Sequence, residues 1–156
     1  MERLQWKWRD DLPEGPWNDE PDKVQWPDPR TGLACMIRRG PLGVWCGYVG
    51  VDETHPWFGK DYEDVPVDVH GGLTFAAPCD GDEEHGLCHV PGPGEPDPLY
   101  WFGFDCGHAW DVHPRFLDPA YPDIVRMETE FGTYRDVAYV TAETENLALQ
   151  IANAAG

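Results

Sequence analysis

Leu99-Tyr100-Trp101-Phe102-Gly103-Phe104 is the most apolar run in the chain, and its length decides how the fold is read. Six residues bounded by Pro98 and Asp105 suit a strand better than a helix. Apolar side chains at both odd and even positions predict burial on both faces, hence a central place in a sheet. Gly103 marks a bulge or a tight approach within it.

Two further strands are expected over 33–38 and 44–51, joined by the turn Gly40-Pro41-Leu42-Gly43. Shorter extended pieces at 65–70 and 73–77 flank Gly71-Gly72, a pair that predicts positive φ or close approach of a backbone or a ligand. The clearest helix covers 136–153. Asp136 can cap it, Val137, Val140, Thr144, Leu147, Ala148 and Ile151 share one face, and Glu143 and Glu145 point away. Together these predict an α+β fold, a small, loop-rich antiparallel or mixed β-sheet packed by a C-terminal amphipathic helix. Residues 1–30 alternate Trp6, Trp8, Trp17 and Trp26 with prolines and acids and read as an irregular arm. Residues 31–156 read as a single α+β domain, with a polar loop over 78–98 and an irregular stretch over 112–133.

A chain of 156 residues with 41% hydrophobic and 13% aromatic residues can bury a core of its own. Its net charge of −18 argues against broad contact with nucleic-acid backbone or an anionic membrane, although Arg38-Arg39 leaves room for a local basic patch. No apolar run reaches the length of a membrane span and no signal-peptide core begins the sequence, so a cytoplasmic location is expected. Five cysteines, Cys35, Cys46, Cys79, Cys88 and Cys106, then read as free thiols or metal ligands rather than a disulfide framework.

Three clusters could carry chemistry. His70-Gly71-Gly72-Leu73-Thr74-Phe75 presents an imidazole beside a backbone open to close approach; its plain alternative is a histidine hydrogen-bonded in a turn. Asp105-Cys106-Gly107-His108-Ala109-Trp110-Asp111 follows the apolar strand. Its carboxylates and imidazole could hold Zn²⁺ or Mn²⁺, or form an acid–base pair in which Asp orients His. The alternative is local capping by Asp105 with His108 packed on Trp110. Cys79, His85, Cys88 and His89 are zinc-type residues but lack paired Cys-x₂-Cys spacing. Serine is absent, which removes serine-nucleophile catalysis; a Cys106–His108 pair remains. There is no phosphate-binding loop, dinucleotide fingerprint or His-Glu-x-x-His helix.

The motifs Gly47-Tyr48-Val49, His55-Pro56-Trp57-Phe58-Gly59-Lys60, His70-Gly71-Gly72-Leu73-Thr74-Phe75, Cys88-His89-Val90-Pro91 and Trp101-Phe102-Gly103-Phe104-Asp105-Cys106-Gly107-His108 resemble, in that order, a family of uncharacterised phage and bacterial proteins. The resemblance spans about residues 33–153 and extends to Tyr139-Val140, Glu143, Leu147-Ala148 and Gln150-Ile151 in the helix. It implies a phage or mobile-element accessory protein acting in the host cytoplasm, and brings no activity with it.

Three functions follow as expectations. The first is a binder of a small polar or nucleotide-like ligand, sequestering a host signal. Its ligand-binding residues would be His70, Gly71, Gly72, Thr74, Lys60, Trp57, Trp101, Phe104, Asp105 and His108, with Phe58 among the aromatics. The second is a metal-dependent hydrolase using His70, Asp105, His108 and Asp111, with zinc as cofactor. The third is an acidic protein-interaction module that mimics DNA.

Overall fold

The computed structural model describes residues 1–156 and shows an α+β protein. Six strands form one antiparallel sheet: β1 (Leu4–Trp6), β2 (Lys23–Pro27), β3 (Ala34–Arg39), β4 (Trp45–Val51), β5 (Phe75–Pro78) and β6 (Tyr100–Asp105), in the order β1-β2-β3-β4-β6-β5. Two helices follow, α1 (Pro122–Phe131) and α2 (Val137–Ala154). No helix is long and apolar enough to cross a membrane.

Side-chain alternation divides the sheet residues between two faces. Val24, Cys35, Ile37, Val49, Phe102 and Phe104 meet Val140, Leu147, Ala148 and Ile151 of α2, the face anticipated from helical spacing. Asp136 caps α2, its carboxylate accepting from the Tyr139 N–H at 2.8 Å. At Gly47 a Cβ would collide with Thr144 and Phe104, so the missing side chain is what lets the helix lie close on β4. The opposite face carries Met36, Tyr48, Leu99 and Trp101. The 79–99 loop covers it and is tied down by β2: Lys23 Nζ donates to the Glu83 and Cys88 carbonyls at 2.7 and 2.8 Å, and Gln25 exchanges two hydrogen bonds with the Val90 backbone. Burial pushes the Lys23 ammonium down to about 8.

Several expectations change. Residues 1–30 are not an irregular arm, because β1 and β2 belong to the sheet and β2 is buried between β1 and β3. The cause is Arg39, whose side chain is fully buried. Its guanidinium lies 3.0 Å from Glu20, 3.3 Å from Asp22 and 4.2 Å over the Trp45 ring, and donates to the Gly43 carbonyl at 2.8 Å. A buried cation requires paired anions, and both come from the N-terminal segment. The 65–70 segment is not a strand. Its backbone pairs with α2 side chains instead: Asp68 N–H with Gln150 at 2.7 Å, and His70 N–H with Glu143 at 2.7 Å. Glu143 therefore faces the body, as does Glu145, which accepts from Trp26 Nε1 at 3.2 Å. The 112–133 stretch contains α1, and β6 lies one strand from the sheet edge. Cys79 and Cys88 form a disulfide with 4.9 Å between Cα atoms, leaving Cys35, Cys46 and Cys106 free.

Replacing Arg39 by Ala strands Glu20 and Asp22 in the interior and is expected to cost about 3–5 kcal/mol. Urea unfolding should show a lower midpoint at unchanged slope; a midpoint equal to the parent's would mean the network is not holding the N-terminal strands.

Candidate functional site

The residues around His70 come from four places: the 70–74 turn, the end of β6, the turn at 108–111 and the first two turns of α2. Asp111 is the centre. Its buried carboxylate accepts from His70 Nε2 at 2.8 Å, from the His108 N–H at 3.0 Å and from Arg135 Nε at 2.9 Å. An ionised carboxylate only accepts, so Nε2 of His70 donates to it, and Nδ1 on the other side of the ring is hydrogen-bonded to the Tyr139 hydroxyl at 2.7 Å. The result is a closed chain, Tyr139–His70–Asp111–Arg135. Burial alone would raise the Asp111 carboxyl, but the hydrogen bonds from His70, His108 and Arg135 prevail and hold it below its ordinary value. Burial, with Glu143 adding to it, pushes the Tyr139 phenol up, so that hydroxyl keeps its proton.

His108 lies above this chain. Its ring is 5.7 Å from that of His70 and stacks on Trp110 at 5.1 Å with planes 12° apart. Nε2 of His108 lies 3.5 Å from Asp105, whose carboxylate also accepts from the Thr74 hydroxyl at 3.2 Å and the Gly107 N–H at 2.9 Å. Both Gly71 and Gly72 have positive φ, 69° and 78°. The close approach at Gly71 comes from His108: a Cβ there would collide with its imidazole.

The structure thus brings together His70, Gly71, Gly72, Thr74, Asp105, His108 and Asp111, and it separates the other candidates. Lys60 and Trp57 belong to a loop that meets Ile151 of α2 through His55 and Tyr100 of β6 through the Lys60 carbonyl. The His70 contacts lie two to three turns away along α2, roughly 12 Å or more. Trp101 and Phe104 are fully buried on opposite faces of β6, because neighbouring strand residues at odd separation point apart, and so cannot wall one site. Phe58 remains exposed near Tyr100.

The metal expectation meets a poor donor set. No three of His70, Asp105, His108 and Asp111 place a ligand atom each within 4.8 Å of one another, and both nitrogens of His70 are already engaged. The zinc-type quartet is dispersed: Cys79 and Cys88 are bonded to each other, His85 rests edge-on against Trp8, and His89 is buried against Trp101. Cys106 is buried, which pushes its thiol up and removes it as a nucleophile.

Sequence reasoning overlooked Arg135 and the part taken by Tyr139 and Glu143; the packing of His108 on Trp110 was its plain alternative for this stretch, and the structure shows that stack. Tyr139 and Glu143 stand four residues apart, which places them on one face of α2, and that spacing was the available signal.

The class defined by fold and site is an acidic α+β protein with an open polar shoulder around a buried Asp–His pair. Comparison with protein-family models, with characterised proteins and with solved structures finds no match.

Because the folded-state carboxyl of Asp111 titrates below its ordinary value of 3.8, its stabilisation is complete above that value and is lost as pH falls through the lower folded one. Asp111→Asn should remove about 3 kcal/mol at neutral pH and flatten the loss of stability as pH falls below 3.8, where the parent protonates this carboxylate. Urea midpoints measured for both proteins across that range test this, and parallel curves would dismiss it.

Proposed function

We propose that this protein binds a small anionic, nucleotide-like ligand on the shoulder formed by Trp110, His108, Arg135 and the Asp105–Thr74 rim. The observation that carries the reading is Trp110. Its indole is 50% exposed, yet it is held in place by the stack on His108 and lies 6.1 Å from the His70 ring. An exposed aromatic ring held in a fixed orientation is what stacking recognition of a base requires. Arg135 engages Asp111 through Nε and lies over the Tyr139 ring at 4.8 Å, which leaves its Nη groups for a phosphate or carboxylate. His70 and Asp111 hold these groups in position, and the closed hydrogen-bond chain favours binding over turnover.

The motif resemblance to phage proteins supports a biological setting for such a binder: sequestration of a nucleotide-like signal inside the host cell. The ligand contacts then come from Trp110 and Arg135, with His108, Asp105 and Thr74, in place of the aromatic walls expected from Trp57, Trp101 and Phe104.

Titration calorimetry and thermal shift against linear and cyclic mono- and dinucleotides test the reading. At least one ligand should stabilise the protein, by about 2.7 kcal/mol at a hundredfold excess over Kd. Trp110→Ala should weaken that ligand about tenfold or more while leaving the fold intact, and Arg135→Lys, which keeps a cation beside Asp111, should weaken it in the same direction. If no nucleotide shifts the melting curve, or if Trp110→Ala binds as the parent does, the reading fails.

A further inference from the structure

The excursion between Asp111 and Thr133 carries five of the eight exposed large hydrophobic residues of the molecule. Tyr121, Ile124, Met127 and Phe131 are 59%, 45%, 62% and 68% exposed, and Phe116 beside them is 39% exposed. Spacings of three, three and four residues put the four on one side of α1. A ten-residue helix is too short to persist on propensity alone, and helices of this length normally exist by burying an apolar face. Yet α1 buries no residue: it is held to the body by Glu128, which accepts from the His113 N–H at 2.9 Å, and by contacts with the short turn at Pro114–Phe116, and the stripe stays exposed. Four large apolar side chains, each about half exposed or more, on one side of a single short helix make the kind of patch that on single proteins is usually functional.

We infer that α1 docks a basic, amphipathic segment of a partner protein. Charge selects the occupant. The stripe is flanked by exposed Asp118, Asp123 and Glu130, with Arg126 paired to Asp123 at 2.9 Å, on a chain carrying −18 overall. A second copy would bring an equally acidic surface against it, and an anionic membrane would be repelled in the same way. A helix with Leu-type residues on one face and Lys or Arg at its margins satisfies both the apolar stripe and its rim. The surface is distinct from the ligand shoulder, and its test does not depend on any nucleotide being bound.

The probe is a fluorescein-labelled Leu/Lys amphipathic helix of about 18 residues, read by anisotropy, with a Leu/Glu helix of the same length as comparison. The full chain should bind the Leu/Lys peptide saturably and the Leu/Glu peptide not at all. The double variant Met127→Ser and Phe131→Ser leaves net charge unchanged and should weaken binding at least tenfold, with Ile124→Ser weakening it in the same direction. Melting temperature and far-ultraviolet circular dichroism confirm that the sheet persists in each variant. Equal binding by parent and variants would reduce the attraction to charge alone and overturn the inference, as would absence of binding. Sedimentation velocity showing self-association that the double variant abolishes would also overturn it, in favour of a second copy as the occupant.

Discussion

A fully buried guanidinium organises this protein. Arg39 ends β3 on the helix-side face of the sheet, pressed against Trp45, with nowhere to find water. A cation there is tolerable only with carboxylates close by, and Glu20 and Asp22 supply them from the N-terminal segment, whose Val24 and Trp26 are buried in the same core. Asp22 goes on to accept from the Trp8 and Arg9 N–H groups at 2.7 and 2.8 Å, and Glu20 accepts from the Val137 N–H at 2.7 Å and from the Tyr134 hydroxyl. One charge thus fixes β1 and β2 at the sheet edge and seats the start of α2. Since α2 carries Tyr139 and Glu143, the position of His70 depends on it as well.

Asp111 repeats the scheme on a smaller scale. It gathers a histidine, an arginine and a backbone N–H around a carboxylate with no access to solvent, and it stands at one end of an excursion whose other end is Thr133. The Val112 N–H donates to the Thr133 carbonyl and the Thr133 N–H to the Trp110 carbonyl, both at 2.9 Å. Asp111 therefore has two structural consequences. It orients the shoulder on which Trp110 and His108 stack, and it closes the base of the loop that presents α1.

What the sequence disclosed follows from which forces are local. The strands around 33–51 and 99–104 and the apolar face of α2 were legible because alternation and helical spacing report burial directly. His70, Gly71, Asp105 and His108 were legible because dense polar groups next to an apolar run need partners, and Gly71 proved to be the contact point for His108. The N-terminal strands were missed although Leu4-Gln5-Trp6 and Lys23-Val24-Gln25-Trp26 do alternate: the runs are short and set among prolines and acids, and the demand for Glu20 and Asp22 originates at Arg39, many residues away. The same holds for Arg135, whose partner Asp111 lies across the α1 excursion. The aromatic walls failed for a different reason. Trp101 and Phe104 are three apart on a strand, so the alternation that identified β6 already sent them to opposite faces.

The distribution of buried side chains separates the stable part of the molecule from the responsive part. Between residues 112 and 132 only Val112 and Pro114 are buried, whereas the sheet and α2 share one continuous core. Segments with so few buried contacts open at lower free energy than the body they hang from. Trp110 and Arg135 sit at the two feet of this excursion, Trp110 through its carbonyl, which accepts from the Thr133 N–H, and Arg135 through its bond to Asp111. A ligand that gripped both would restrict the opening of everything between them, α1 included, without moving the sheet. The hydrogen bonds that position the shoulder are therefore also the route by which occupancy there would be felt on the apolar face, and the coupling would run equally in the other direction.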